Sequence, residues 1–215
     1  APQPEAVETG LEILQAGGNV VDAAVAAALV QTVVDPQMCG IAGFGSMHMY
    51  LPDRGVHTCI DFHGRAPAAT RPDMWESLIL GECEDGFGFL LKDQVNEIGY
   101  QSMTTPMTLR AFDEAMTRFG SRTLADVLKP AIQYAEEGFL VRPAVHGFWN
   151  RGSESGRVAR IRGLTDDPAT AKIYAKADGS LYGIGELFRN PDLGRTYRRI
   201  AEHGVEDFYS GEIAR

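Results

Sequence analysis

The stretch VVDAAVAAALVQTVV, residues 20–34, leaves the chain fewer options than any other. Wound as an α-helix it presents apolar side chains all round, so it has no solvent face and must be buried on most of its sides. Asn19 is placed to cap its start, and Asp22, three residues on, supplies the acid of a capping box near the positive end of the dipole. Asp35-Pro36 ends it, because a residue before proline is pushed out of the α region. A helix over Val20–Val33 therefore requires a layered fold in which other elements wrap it, and its alanines and valines permit close approach.

The flanking sequence predicts what those elements are. Residues Pro4–Ala16 read as a first helix with Val7, Leu11, Leu14 and, on its flank, Ile13 as the apolar stripe; Gly17-Gly18 stops it by taking the left-handed position without a Cβ clash. Gly40, Gly43 and Gly45 precede a hairpin of Met47–Leu51, a turn at Pro52–Gly55, and Val56–Phe62. This hairpin leads into His63-Gly64-Arg65-Ala66-Pro67. Residues 71–100 read as a loop-rich excursion. Helices are predicted over Pro106–Phe119, with Leu109, Phe112, Ala115, Met116 and Phe119 inward, and over Thr123–Glu137, broken or kinked near Pro130. Others follow at Pro143–Ser155, Pro168–Ala175 and Pro191–Glu202, with a last run beginning near Val205 and still helical at Arg215. No repeat or low-complexity linker divides the chain, so residues 1–215 read as a single domain of mixed α and β structure.

Composition narrows the function classes. At 44% hydrophobic and 23% charged, the 215 residues are those of a globular protein. A net charge of -9 argues against a nucleic-acid surface. The arginine clusters at 157–162 and 195–199 read as solvated helix faces. No stretch reaches the roughly 18 apolar residues of a membrane span. No signal-peptide pattern is visible, yet Ala1 in place of Met points to residues upstream, so the compartment stays open. Cys39, Cys59 and Cys83 fit neither a disulfide framework nor a CxxC metal pattern. His48 and His57 face each other across the hairpin, a weak metal site with two ligands alone, and His146 and His203 lie apart. The glycines at 40, 43 and 45 match neither GxGxxG nor GxxxxGK[ST] and are read as close-packing positions. No cofactor is implied.

The run from Gly10 to Leu29, GLEILQAGGNVVDAAVAAAL, closely resembles the opening of γ-glutamyltranspeptidases. Gly40–Tyr50 resembles their next segment, and Asp61-Phe62 with Ala66-Pro67 their Asp-Phe-Arg-Glu-x-Ala-Pro element. Further on, Lys129–Ile132, Ala135–Phe139 and Asp207–Arg215 resemble later landmarks in the family's order. The resemblance implies an α+β fold, a four-layer αββα sandwich of the N-terminal-nucleophile hydrolase type, of which this chain is the N-terminal, large-subunit part. It implies amide hydrolysis or acyl transfer on a small γ-glutamyl or related amide substrate. The nucleophile would be a threonine that opens a small subunit cut from the same precursor, beyond the end of this chain, with its own α-amine as base. Thr104-Thr105 lacks the processing pattern and reads as a helix cap before Pro106.

The same resemblance locates the substrate-binding residues. In the family the arginine of Asp-Phe-Arg-Glu binds the α-carboxylate of the γ-glutamyl group, a task suited to a rigid, permanently charged fork. Here His63 stands in that position, Gly64 replaces the acid, and Arg65 follows two residues later. The departure loosens the expectation of γ-glutamyl specificity. Either Arg65 takes over the carboxylate, or His63 binds a different acyl group as a hydrogen-bond donor. The plainer alternative is a polar strand end at His63 and an ion pair at Arg65, with Asp61 pairing Arg65 or capping the loop. If His63 and Arg65 continue the strand, both project to one side. A second polypeptide is also expected, to cover the apolar helix and the hairpin.

Overall fold

The computed structural model describes residues 1–215. In chain order its elements are α1 (Pro4–Gln15), α2 (Val20–Val34), β1 (Ser46–Leu51), β2 (Val56–Asp61), β3 (Ile79–Glu82), β4 (Phe89–Leu91), α3 (Thr108–Phe119) and α4 (Leu124–Glu137). They continue with β5 (Phe139–Leu140), α5 (Pro143–Trp149), α6 (Arg160–Thr165), α7 (Pro168–Tyr174), β6 (Leu187–Phe188), α8 (Pro191–His203) and α9 (Glu206–Tyr209). No helix is long and apolar enough to cross a membrane. The chain forms two compact units, one of Ala1–Gly64, Pro106–Phe139 and Phe188–Arg215, the other of Arg65–Thr105 and Leu140–Leu187.

The first unit is built around α2. Asn19 and Asp22 form the expected capping box, the Asn19 side chain accepting from the Val21 and Asp22 N–H groups and Asp22 accepting from the Asn19 N–H at 2.7 Å. Val25, Ala26, Leu29 and Val30 are fully buried, and α1, α3 and α4 supply the cover. The helix thus finds most of its wrapping within this chain, with Val20 and Ala24 left exposed.

The predicted stripe of α1 is reversed. Val7, Leu11 and Leu14 are exposed, and the buried face is Ala6, Thr9, Gly10 and Ile13. Gly10 lies against α2: a Cβ there would be in ordinary contact, 3.4 Å from the Ala23 carbonyl and 3.5 Å from the Ala27 Cβ. The small residues Ala6, Thr9 and Gly10 allow that approach, and Ile13 is the one large apolar side chain of α1 kept inward. The stop after α1 is as expected, with Gly17 at φ 81° and the Gly18 N–H returning to the Ile13 carbonyl at 2.9 Å.

The β1–β2 hairpin pairs Ser46 with Asp61 through Leu51 with Val56. Helix α3 begins at Thr108, not Pro106, and its N-cap is Met107 with no side-chain bond, so Thr104 and Thr105 cap nothing. Helix α4 runs unbroken through Pro130, since its buried stripe of Val127, Leu128, Ala131, Ile132 and Ala135 holds both halves against the core. Tyr197 on α8 is buried and hydrogen-bonds the Thr32 hydroxyl of α2. The last helix ends at Tyr209, so the chain is not helical at Arg215.

The second unit carries the loop-rich stretch with the short β3–β4 pair, and the small helices α5–α7. Helix α5 stops at Trp149 and not Ser155; that tryptophan is fully buried against Tyr174 of α7, their ring centres 5.5 Å apart. Arg157 grips both Asp85 carboxylate oxygens, and α6 occupies part of the arginine-rich stretch.

Candidate functional site

The segment around His63 is shaped by the hairpin and by the glycines before it. Beyond the last strand pair, Gly45 and Phe62 continue the ladder, the Phe62 N–H donating to the Gly45 carbonyl at 3.0 Å. A Cβ on Gly45 would press to 3.1 Å from the Phe62 ring, so glycine lets that ring fold under the strand. The Gly43 carbonyl accepts from the Met107 and Thr108 N–H groups and ties the glycine segment to the start of α3. Gly43 and Gly45 thus have the close-packing roles the sequence implied, whereas a Cβ on Gly40 would meet nothing within 4 Å.

Strand β2 ends at Asp61, so His63 and Arg65 do not lie on a strand and the expectation of a shared strand face lapses. His63 is in the first unit; Arg65 is the first residue of the second, its carbonyl accepting from the Thr105 N–H at 2.9 Å. Asp61 turns to His63 and not to Arg65: one of its oxygens accepts from the His63 backbone N–H at 3.1 Å and from the ring Nδ1 at 2.8 Å. The hydrogen bonds from the His63 ring and backbone hold the Asp61 carboxyl below its usual pKa. Because a carboxylate can only accept, Nδ1 carries the proton. A neutral His63 then has its lone pair on Nε2 and accepts there, so the donor role expected of it belongs to the imidazolium alone.

Beside this histidine, Phe44 leans on it with ring centres 5.8 Å apart. Phe44 also lines a cavity of about 560 Å³ in the first unit, walled by Ala28, Gln31, Met47, Phe62 and Phe112 among others. The wall is chiefly apolar, with one orphan group: the Gln31 Oε1 is buried without a partner, while its Nε2 donates to Asp35 at 3.0 Å. Sequence reasoning missed Gln31, because a polar residue in an apolar helix looks like an interruption. Cys39 on the same wall is no nucleophile. Burial, followed by the nearby Asp35 charge, pushes its thiol up to about 12.

A family model described as gamma-glutamyltranspeptidase matches residues 6–215. The chain belongs to the γ-glutamyltranspeptidase family. Among curated members, it is 35% identical over 214 residues to the acylase ACY 1 proenzyme of Pseudomonas sp. (strain V22), covering 99% of this chain and 36% of that protein. It is 29% identical over 216 residues to the glutathione hydrolase proenzyme of Bacillus subtilis (strain 168), covering 99% and 33%. The chain therefore spans about a third of the length of these γ-glutamyltranspeptidase relatives. Among solved structures, Helicobacter pylori γ-glutamyltranspeptidase superposes with a TM-score of 0.84 at 26% identity, over all of this chain and 56% of that one.

Proposed function

We propose that this chain is the N-terminal part of the large subunit of an amide hydrolase or acyltransferase of the γ-glutamyltranspeptidase family, built as a four-layer αββα sandwich. The observation that carries this is the family match along residues 6–215. In this reading a threonine that opens a small subunit, cut from the same precursor, is the nucleophile. Its α-amine takes the hydroxyl proton as the oxygen attacks the amide carbonyl, the amine leaves, and water or an acceptor amine then releases the acyl group. Residues 1–215 contribute one wall of the acyl pocket, with His63 or, in its place, Arg65 as the polar contact.

A second reading concerns the acyl group. His63 replaces the arginine expected to hold an α-carboxylate, and the cavity behind Phe44 is mostly apolar. Both features, together with the 35% identity to an acylase proenzyme, favour an uncharged or apolar acyl chain over a γ-glutamyl group. Intact-mass analysis of the precursor, with and without γ-glutamyl and simple acyl amides, tests both readings. Self-cleavage followed by a mass increase equal to the acyl group is expected. A precursor that stays whole and gains no adduct sinks the enzymatic assignment. His63→Ala is expected to raise KM several-fold with little change in melting temperature, the pattern of a residue that binds substrate. Unchanged kinetics across an amide panel, with processing intact, removes His63 from the pocket.

A further inference from the structure

The β1–β2 hairpin carries a second constellation, apart from the acyl site. On its exposed face the cross-strand pairs are His48 with Cys59 and Tyr50 with His57. The two histidines thus sit on a diagonal, and their rings lean together until the Nε2 atoms are 2.8 Å apart, with ring centres 4.8 Å apart and planes at 63°. Tyr50 closes on the edge of His57 with ring centres at 5.5 Å and restrains that ring. At 2.8 Å the two nitrogens share one proton: one must hold it, and the other must offer a lone pair.

We infer that His48 and His57 form a two-imidazole chelate for a divalent transition metal of right-angled preference, Ni²⁺ or Cu²⁺, the metal taking the place of the shared proton. The short separation of the two nitrogens favours this class. With metal–nitrogen bonds of about 2.0–2.1 Å, imidazoles at a right angle place their nitrogens about 2.9 Å apart and their ring centres about 4.5 Å apart. At the tetrahedral angle the same distances are about 3.3 and 5.2 Å. The nitrogen separation of 2.8 Å is that of the shared-proton contact; it lies nearer the right-angled spacing than the tetrahedral one, and the centre separation of 4.8 Å lies between the two. Tetragonal coordination by nitrogen and oxygen is characteristic of Cu²⁺ and Ni²⁺, whereas zinc sites are tetrahedral. No group of three or more histidine, cysteine or acidic side chains converges on an ion position, so water supplies the other ligands and the affinity is modest. A bound ion would pin β1 to β2 at the middle of the hairpin.

The test is independent of the catalytic reading, since neither histidine belongs to the proposed acyl pocket. Untagged full-length protein is titrated with Ni²⁺ by calorimetry, beside His48→Asn, His57→Asn and a His203→Asn control. One equivalent is expected in the wild type and the control, with affinity weakened at least about tenfold in either hairpin variant. Ni²⁺ should also raise the Tm of the wild type and not of the hairpin variants, because the ion binds only the folded pair. Should the variants misfold, pulsed electron paramagnetic resonance of Cu²⁺-loaded wild-type protein decides the matter through the number of bound imidazoles. Two imidazoles support the chelate; one or none overturns it, as does a wild type that binds Ni²⁺ no better than the variants.

Discussion

Asp22 shows how much one side chain can organise. It is fully buried, and it accepts from the Asn19 N–H, the Ser121 N–H and hydroxyl, and the Arg122 N–H. Asn19 in turn donates to the Phe119 carbonyl, so a helix cap doubles as the joint between α2 and the α3–α4 turn. Burial alone would raise the Asp22 pKa, but the bonds from Ser121, Asn19 and Arg122 outweigh it and leave the carboxyl below its ordinary value. A depressed folded-state value stabilises the fold fully above the unfolded aspartate pKa, about 4, and that contribution is lost as pH falls through the lower folded value. Asp22→Asn replaces one acceptor oxygen with an amide donor facing N–H and O–H donors and should cost about 2–3 kcal/mol, read as a lower urea midpoint. The variant should also lose part of the acid sensitivity below pH 4; an unchanged acid transition would remove Asp22 from its origin.

Helix α1 carries the lesson at the scale of an element. Its hydropathy pattern points Val7, Leu11 and Leu14 inward, yet Leu11 is 53% exposed and Ile13 is 8% exposed. Periodicity registers how apolar a residue is, whereas the fold buries Ala6, Thr9 and Gly10 and keeps Ile13 as the one large apolar side chain inside. Ile13→Ala should therefore cost about 2–4 kcal/mol in denaturant unfolding, from lost burial plus the cavity left behind. Leu11→Ser should stay within about 0.5 kcal/mol, as for other exposed positions. Equal costs at the two positions would restore the predicted stripe. The hairpin follows its sequence pattern more closely, because alternation and a Pro-Asp-Arg-Gly turn are local signals. His63 and Arg65 were found only through the family element they interrupt, and their environment was not legible. Where β2 ends, and which neighbour takes the Asp61 carboxylate, depend on groups brought together by the backbone after it leaves the strand.

For the molecule as a whole, α2 is the element around which the first unit closes, and residues 151–158 of the second are irregular. In native-state hydrogen exchange the α2 amides from Val25 to Val33 are expected to exchange last and those of 151–158 first. Early exchange along α2 would mean that the helix is not the core. The sequence by itself determined that α2 is buried, how it is capped, where the hairpin turns and to which family the chain belongs, since each rests on adjacent residues or on the ordered landmarks. Only the tertiary structure decided which face of α1 is inside, that α4 survives Pro130, that its own chain wraps most of α2, and that His48 and His57 meet. Those outcomes turn on distances between segments far apart in sequence, set by side-chain size and mutual approach, and no local pattern encodes them.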